Sequence, residues 1–388
     1  MLKTLYYIAL VTLVLGQLIA FSKSEGSNIY GFDLVVFLVT FIYVIYLLGI
    51  NKKFVVPQPF YFLFIFLIVA CISFGINSFR YDISQLLPSA FYIVRFAAYL
   101  LFTLSIYNLV LIKKLSYYEI ITSIIWSAVF IVLMGIVQLI ILPDFTKLDP
   151  SLGWDPHQNR LASTFFDPNF VGAYLAISFI LLIDSLFTHR RLTMWTIIAL
   201  LIISVGIVLT FSRSAWLMTG VAIILYGFFK KRILILVALA IMFLAYYSVP
   251  RIQTRISGTT DPADSAQFRV QSWNNTLKII KDYPILGVGF NTLRYVQKDY
   301  GFYNEDTYLS HAAAGSDSSI LFVMATTGIV GLLIFMLGIL VPVLKTGNNL
   351  FIYKTVILSL LIESQFINAL FYPQIMFLWM LLLAFANL

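Results

Sequence analysis

The chain has 388 residues, 61% of them hydrophobic and only 11% charged, with a formal net charge of +8. That balance excludes an ordinary soluble globule, and the basic residues sit in short clusters between apolar runs, which excludes a nucleic-acid surface. A single cysteine, Cys71, excludes a disulfide within the chain.

Apolar runs recur at about 4–21, 32–50, 59–78, 86–112, 118–142, 168–188, 193–211, 214–229, 233–249, 318–344, 350–367 and 372–388. Runs of roughly 17–25 apolar residues fit helices crossing an apolar slab about 30 Å thick. They are too long for barrel strands, and backbone in lipid must satisfy its own hydrogen bonds. The expected fold is therefore an all-α polytopic membrane protein, a single integral domain over 1–388 with about twelve transmembrane helices. The first run follows Lys3 without a persuasive small-residue cleavage site, so it is expected to stay as a helix.

Lys52 and Lys53, Lys113 and Lys114, Arg190 and Arg191, Lys230 to Arg232, and Lys345 fall in every second connection. Such clusters mark cytoplasmic loops. Both termini are then expected on the cytoplasmic side, and the long connections 143–167 and 250–317 on the outer side.

The connection 143–167 ends in Asp167 and Pro168, an N-cap followed by proline at the first helical position. The connection 250–317 lies between the ninth and tenth runs and is the one long polar stretch. Within it Asp264, with Gln267 three residues on, reads as a capping box opening a helix that Pro284 ends. Phe268, Trp273, Leu277 and Ile280 are expected on one face of that amphipathic helix.

Charges inside apolar runs are costly and mark sites or ion pairs. Arg95, in FYIVRFAAYL, fits either anion binding from within the bundle or an ion pair with Glu363. Arg213, between Ser212 and Ser214 in FSRSAWL, stands where one helix ends and the next begins. Hydroxyls, free N–H groups and a guanidinium would together make an oxyanion site there, whereas the plainer alternative is an interfacial arginine beside Trp216. Arg269 and Trp273 are four apart on the loop helix and share a face, as a stacked pair or with Arg269 pointing toward Arg213. Converging arginines suit a diphosphate, because guanidinium forks bind phosphate oxygens in pairs. Asp317 fits either a cap of the tenth helix or a general base, and His311 is a second candidate base. Arg160, within the connection 143–167, and Asn169, just after it, are further candidate diphosphate- or substrate-binding residues. The chain carries no phosphate-binding glycine loop, zinc-ligand cluster or acidic pair in its first outer loop, so neither metal nor cofactor is expected.

The run of TFFDPNFVGAYLA, FSRSAWL, the FRVQSW helix, DYPILGVGF and a polar pair eleven residues before a Gly-x-x-Gly resembles the bacterial O-antigen ligase and O-antigen polymerase superfamily. The resemblance covers about 165–331. It implies a GT-C-like membrane glycosyltransferase with an undecaprenyl-diphosphate-linked glycan as donor and a glycan hydroxyl as acceptor. Arg213 and Arg269 match the family's arginines at the short outer turn and on the loop helix. The bilayer, and flippase and chain-length regulator proteins, are the further partners it implies. Ligases of the superfamily place His followed by Asn, Ser or Gln before the glycines. Here Asp317 and Ser318 precede Gly328 and Gly331, which points to a polymerase. A ligase, and a lipid-glycan flippase with polar groups at mid-membrane, are the alternatives.

Overall fold

The structure is a computed structural model that describes all residues except 25–26, 51–53, 149–155, 190–192, 259–264, 305–306, 309–312 and 346–349. Glu25, Asp264 and His311 therefore lie outside the described residues, and with them the capping box at 264 and the second candidate base.

The chain is an all-α polytopic membrane protein. Each of the twelve apolar runs forms a helix. They are α1 (Leu2–Leu15), α2 (Gly31–Gly49), α3 (Gln58–Asn77), α4 (Ile83–Leu111), α5 (Tyr117–Ile141), α6 (Pro168–His189), α7 (Met194–Leu209), α8 (Arg213–Phe229) and α9 (Ile233–Ser248), followed after the polar stretch by α13 (Ser319–Leu344), α14 (Leu350–Glu363) and α15 (Pro373–Phe385). The polar stretch contributes α10 (Pro250–Ser257), α11 (Ser265–Asp282) and α12 (Leu293–Asp299). A two-stranded antiparallel hairpin, Ala20–Ser24 with Ser27–Tyr30, joins α1 to α2.

By length and composition, seven of the described helices can cross a membrane alone, and α9 joined to α10 across a 99° bend makes an eighth. The expectation of about twelve full spans is thereby reduced. At about 1.5 Å per residue, a 13- to 17-residue helix falls short of the hydrocarbon thickness. Hydrophobicity also hides opposite fates. All thirteen residues of α15 are buried, so it is an interior helix, whereas α9 buries none of its residues.

The central architectural feature is a break in α13. Gly328 adopts φ 66° and ψ −170°, outside the helical region. An unbroken helix would pair the N–H groups of 329 and 330 with the carbonyls of 325 and 326. Instead Ile329 N donates to Pro284 O at 2.9 Å and Val330 N to Ile285 O at 3.4 Å. The freed carbonyls of Ala325 and Thr326 accept from Val288 N at 3.0 Å and Gly289 N at 3.1 Å. The segment PILGVG thus inserts into the helix ladder and replaces both lost bonds. α3 closes it from the other side: Ser73 Oγ donates to the carbonyls of Leu286 and Thr326 at 2.6 and 2.8 Å, and Asn77 Nδ2 to that of Gly287 at 3.3 Å. Irregular backbone at membrane depth persists only where protein satisfies it in this way.

Candidate active site

α6 starts at Pro168, capped as its sequence requires: the Asp167 carboxylate accepts from the peptide N–H of Asn169 at 2.7 Å. The Asn169 side-chain oxygen then accepts from Arg160 Nη2 at 3.0 Å and from the Ser212 hydroxyl at 2.8 Å. Arg160 also donates through Nε to the carbonyl of Thr210 at 2.9 Å. Arg160 and Asn169 therefore brace the α7–α8 turn from beneath. The turn itself is tight, with Phe211 at φ 47°, and Ser212 caps α8 by accepting from Ala215 N at 3.4 Å. Ser212 and Ser214 share a hydrogen bond at 3.1 Å. The first turn of α8 is thus a buried pair of hydroxyls at the positive end of a helix dipole.

Arg213 turns to the side, where its Nη1 donates to the Arg255 carbonyl at 3.3 Å. Arg255 answers with Nε to the Phe211 carbonyl at 3.3 Å. Arg251, one helical turn earlier on α10, lies over the Phe211 ring at 4.2 Å and donates to the carbonyls of Asn159 and Gln158 at 2.6 and 2.5 Å. Four guanidiniums therefore converge around one turn. The two from α10 were not singled out from the sequence, although their i, i+4 spacing places both on one face.

α11 presents a different inward face from the one its hydrophobic pattern suggests. Ser272, Asn275, Thr276, Ile279 and Ile280 are buried, while Phe268 and Leu277 are 62% and 42% exposed. At about 100° per residue Phe268 lies well away from Trp273 and Ile280, whereas Arg269 falls on the inner side beside them. Arg269 and Trp273 thus share the half-buried inner side, as their spacing predicts. Trp273 Nε1 donates to the Asp317 carbonyl at 3.1 Å, the Asp317 N–H donates to Ser272 Oγ at 3.1 Å, and the Trp273 ring meets Phe366 at 5.9 Å.

Asp317 is not the cap of α13; that is Ser318, whose hydroxyl accepts from Leu321 N at 3.3 Å. The Asp317 carboxylate lies near the Tyr303 phenol, whose pKa is raised first by burial and then by that negative charge.

The residue that draws these parts together is Glu363. It is fully buried at the end of α14, where the Ser214 hydroxyl reaches its carboxylate outside good hydrogen-bond geometry, and among the described residues no donor of good geometry meets either oxygen. The Arg269 guanidinium and the Asp167 carboxylate act on it electrostatically. Glu363 thus interacts with Ser214 at the start of α8 and with Arg269 of α11, while the Arg213 side chain is engaged at α10.

Arg95 is a correction on two counts. It forms a buried ion pair with Asp33, through Nε to Oδ1 at 2.9 Å and Nη2 to Oδ2 at 2.7 Å, so neither anion binding nor Glu363 occupies that edge. Asp33 also accepts from the Tyr99 hydroxyl at 2.7 Å and the Tyr30 N–H at 2.9 Å, which completes its shell. The pairing follows from α2 packing along α4.

Residues 198–336 match the family model described as O-antigen ligase. Over that segment the chain is similar to the O-antigen ligase family. None of the curated proteins matches it. The matched segment runs from α7 to the middle of α13 and holds Arg213, Arg269, Trp273, Asp317, Gly328 and Gly331, while Arg160, Asn169 and Glu363 come from outside it. The match supports O-antigen ligase- or polymerase-type activity, and the long apolar helices make this a multi-pass membrane protein.

Proposed function

We propose that the protein is a metal-independent glycosyltransferase that polymerises undecaprenyl-diphosphate-linked oligosaccharide repeat units on the outer face of the bacterial plasma membrane. A hydroxyl of the acceptor glycan attacks the anomeric carbon of the donor. The bond from that carbon to the diphosphate breaks, and undecaprenyl diphosphate leaves. Arg269 and Arg213, with the hydroxyls of Ser212 and Ser214 and the start of α8, take up the diphosphate charge as it grows; fixed charge aimed at a leaving group lowers the barrier directly. Trp273 and Asp317, tied to one another at the exit of the polar stretch, orient the acceptor.

The observation that supports this reading is that the segment matching the family carries both the hydroxyl-lined start of α8 with Arg213 and the Arg269 of α11, and that Glu363 interacts with Ser214 of the first and Arg269 of the second. The orientation with the 250–317 stretch outside rests on the alternating basic loops. Reconstitution in liposomes with a synthetic lipid-diphosphate repeat unit tests it: a ladder of lengthened glycans supports a polymerase. The family description favours a second reading, a ligase. Single transfer to a lipid A-core acceptor, without a ladder, would select it.

A further inference from the structure

We propose that Glu363 holds the reacting hydroxyl of the acceptor and takes its proton. This rests on the glycosyl-transfer reading above. A carboxylate stripped of water and given no donors is costly to keep, and groups of this kind concentrate where a ligand completes them. Glu363 is such a group. It is fully buried, and among the described residues only the Ser214 hydroxyl reaches its carboxylate, outside good hydrogen-bond geometry, with Arg269 acting on it as a charge. What it lacks is hydroxyl donors of good geometry, which a sugar supplies in number.

Its place is fixed from three sides. α14 packs against α8 and α6. The next residue, Ser364, accepts through its carbonyl from Ser319 N at 2.8 Å, and Gln365 accepts from the Ser318 hydroxyl at 3.4 Å. Glu363 therefore stands between the arginine of α11 and the junction that carries Asp317. A diphosphate held on Arg269 and a hydroxyl held on Glu363 would be brought together at one guanidinium.

The step balances. The carboxylate accepts the hydroxyl proton while the hydroxyl oxygen forms its bond to the anomeric carbon. The bond from that carbon to the diphosphate oxygen breaks, and its electron pair departs with undecaprenyl diphosphate. The Glu363 carboxylic acid then gives the proton to water.

The test uses the full-length protein in liposomes with a labelled lipid-diphosphate repeat unit, reading donor affinity and turnover separately. E363Q should keep donor affinity and melting temperature and lose roughly 10²-fold or more in turnover, with part of the rate regained in E363D. Wild-type turnover in E363Q overturns the inference alone, and so does loss of donor binding in step with turnover, which marks a structural role. Should E363Q fail to fold, E363D decides: lowered turnover at unchanged donor affinity supports the assignment, and unchanged turnover overturns it. A wild-type protein that transfers from no lipid-diphosphate glycan overturns the enzyme reading and this inference with it.

Discussion

The Arg95 guanidinium grips Asp33 with two nitrogens inside the bundle, at 2.9 and 2.7 Å. Removing one partner leaves the other charge buried and alone, which costs about 3–5 kcal/mol. Arg95→Met and Asp33→Asn should each lower the melting temperature sharply, and Arg95→Met with Asp33→Leu should cost less than the two together. Whatever folded protein remains should bind donor as wild type does. Loss of donor affinity at unchanged stability would show that Arg95 touches the substrate after all.

Arg269→Ala removes the cation that acts on Glu363. Its turnover should fall by roughly 10²-fold or more, the size seen when one preorganised electrostatic donor is lost. Arg269→Lys should recover only part of this, because a point charge cannot replace a guanidinium fork. Arg213→Ala should weaken donor use as well. Cysteine-accessibility mapping should find the topology unchanged in all three.

The bond from Trp273 to the Asp317 carbonyl is severed in Trp273→Phe, which keeps an aromatic ring near Phe366. A hydrogen bond of this kind contributes roughly 0.5–1.5 kcal/mol. Turnover should drop several-fold with donor affinity held. Asp317→Ala, if stable and inserted, should lower turnover too; polymerisation at the wild-type rate would remove Asp317 from the site.

A Cβ on Gly328 would stand 2.0 Å from the Ile285 carbonyl oxygen, and one on Gly287 would stand 2.5 Å from that of Ala325. Both positions also hold positive φ, which penalises any side chain. Gly328→Ala and Gly287→Ala should therefore abolish folded protein in detergent extracts. Gly220→Ala, with nothing within 4 Å of the added atom, should be silent.

The helices were legible because apolar runs of membrane length have few other uses. Their roles were less so: α9 and α15 read alike in sequence, and only packing separates a helix with no buried residue from a wholly buried one. Arg213, Arg269 and Trp273 stood out by residue type and spacing. Glu363 did not, because an acid in an apolar run says that a partner is needed and not which one. Distance along the chain hid the true pairing of Arg95 with Asp33, since nothing local links residues on α2 and α4. The inner face of α11 departs from its hydrophobic pattern, because Ser272, Asn275 and Thr276 are buried there and Ser272 accepts from the Asp317 N–H.

The break in α13 also fastens the outer stretch to the bundle. Residues 284–289 hold two N–H groups and two carbonyls that the helix gave up, so each side completes the other. The stretch is stitched to the bundle at this point, one residue past the end of α11 and its following tyrosine. Trp273 and the Ser272 hydroxyl tie α11 to Asp317 as well, so the stretch is fastened to α13 both just before that helix starts and at its break.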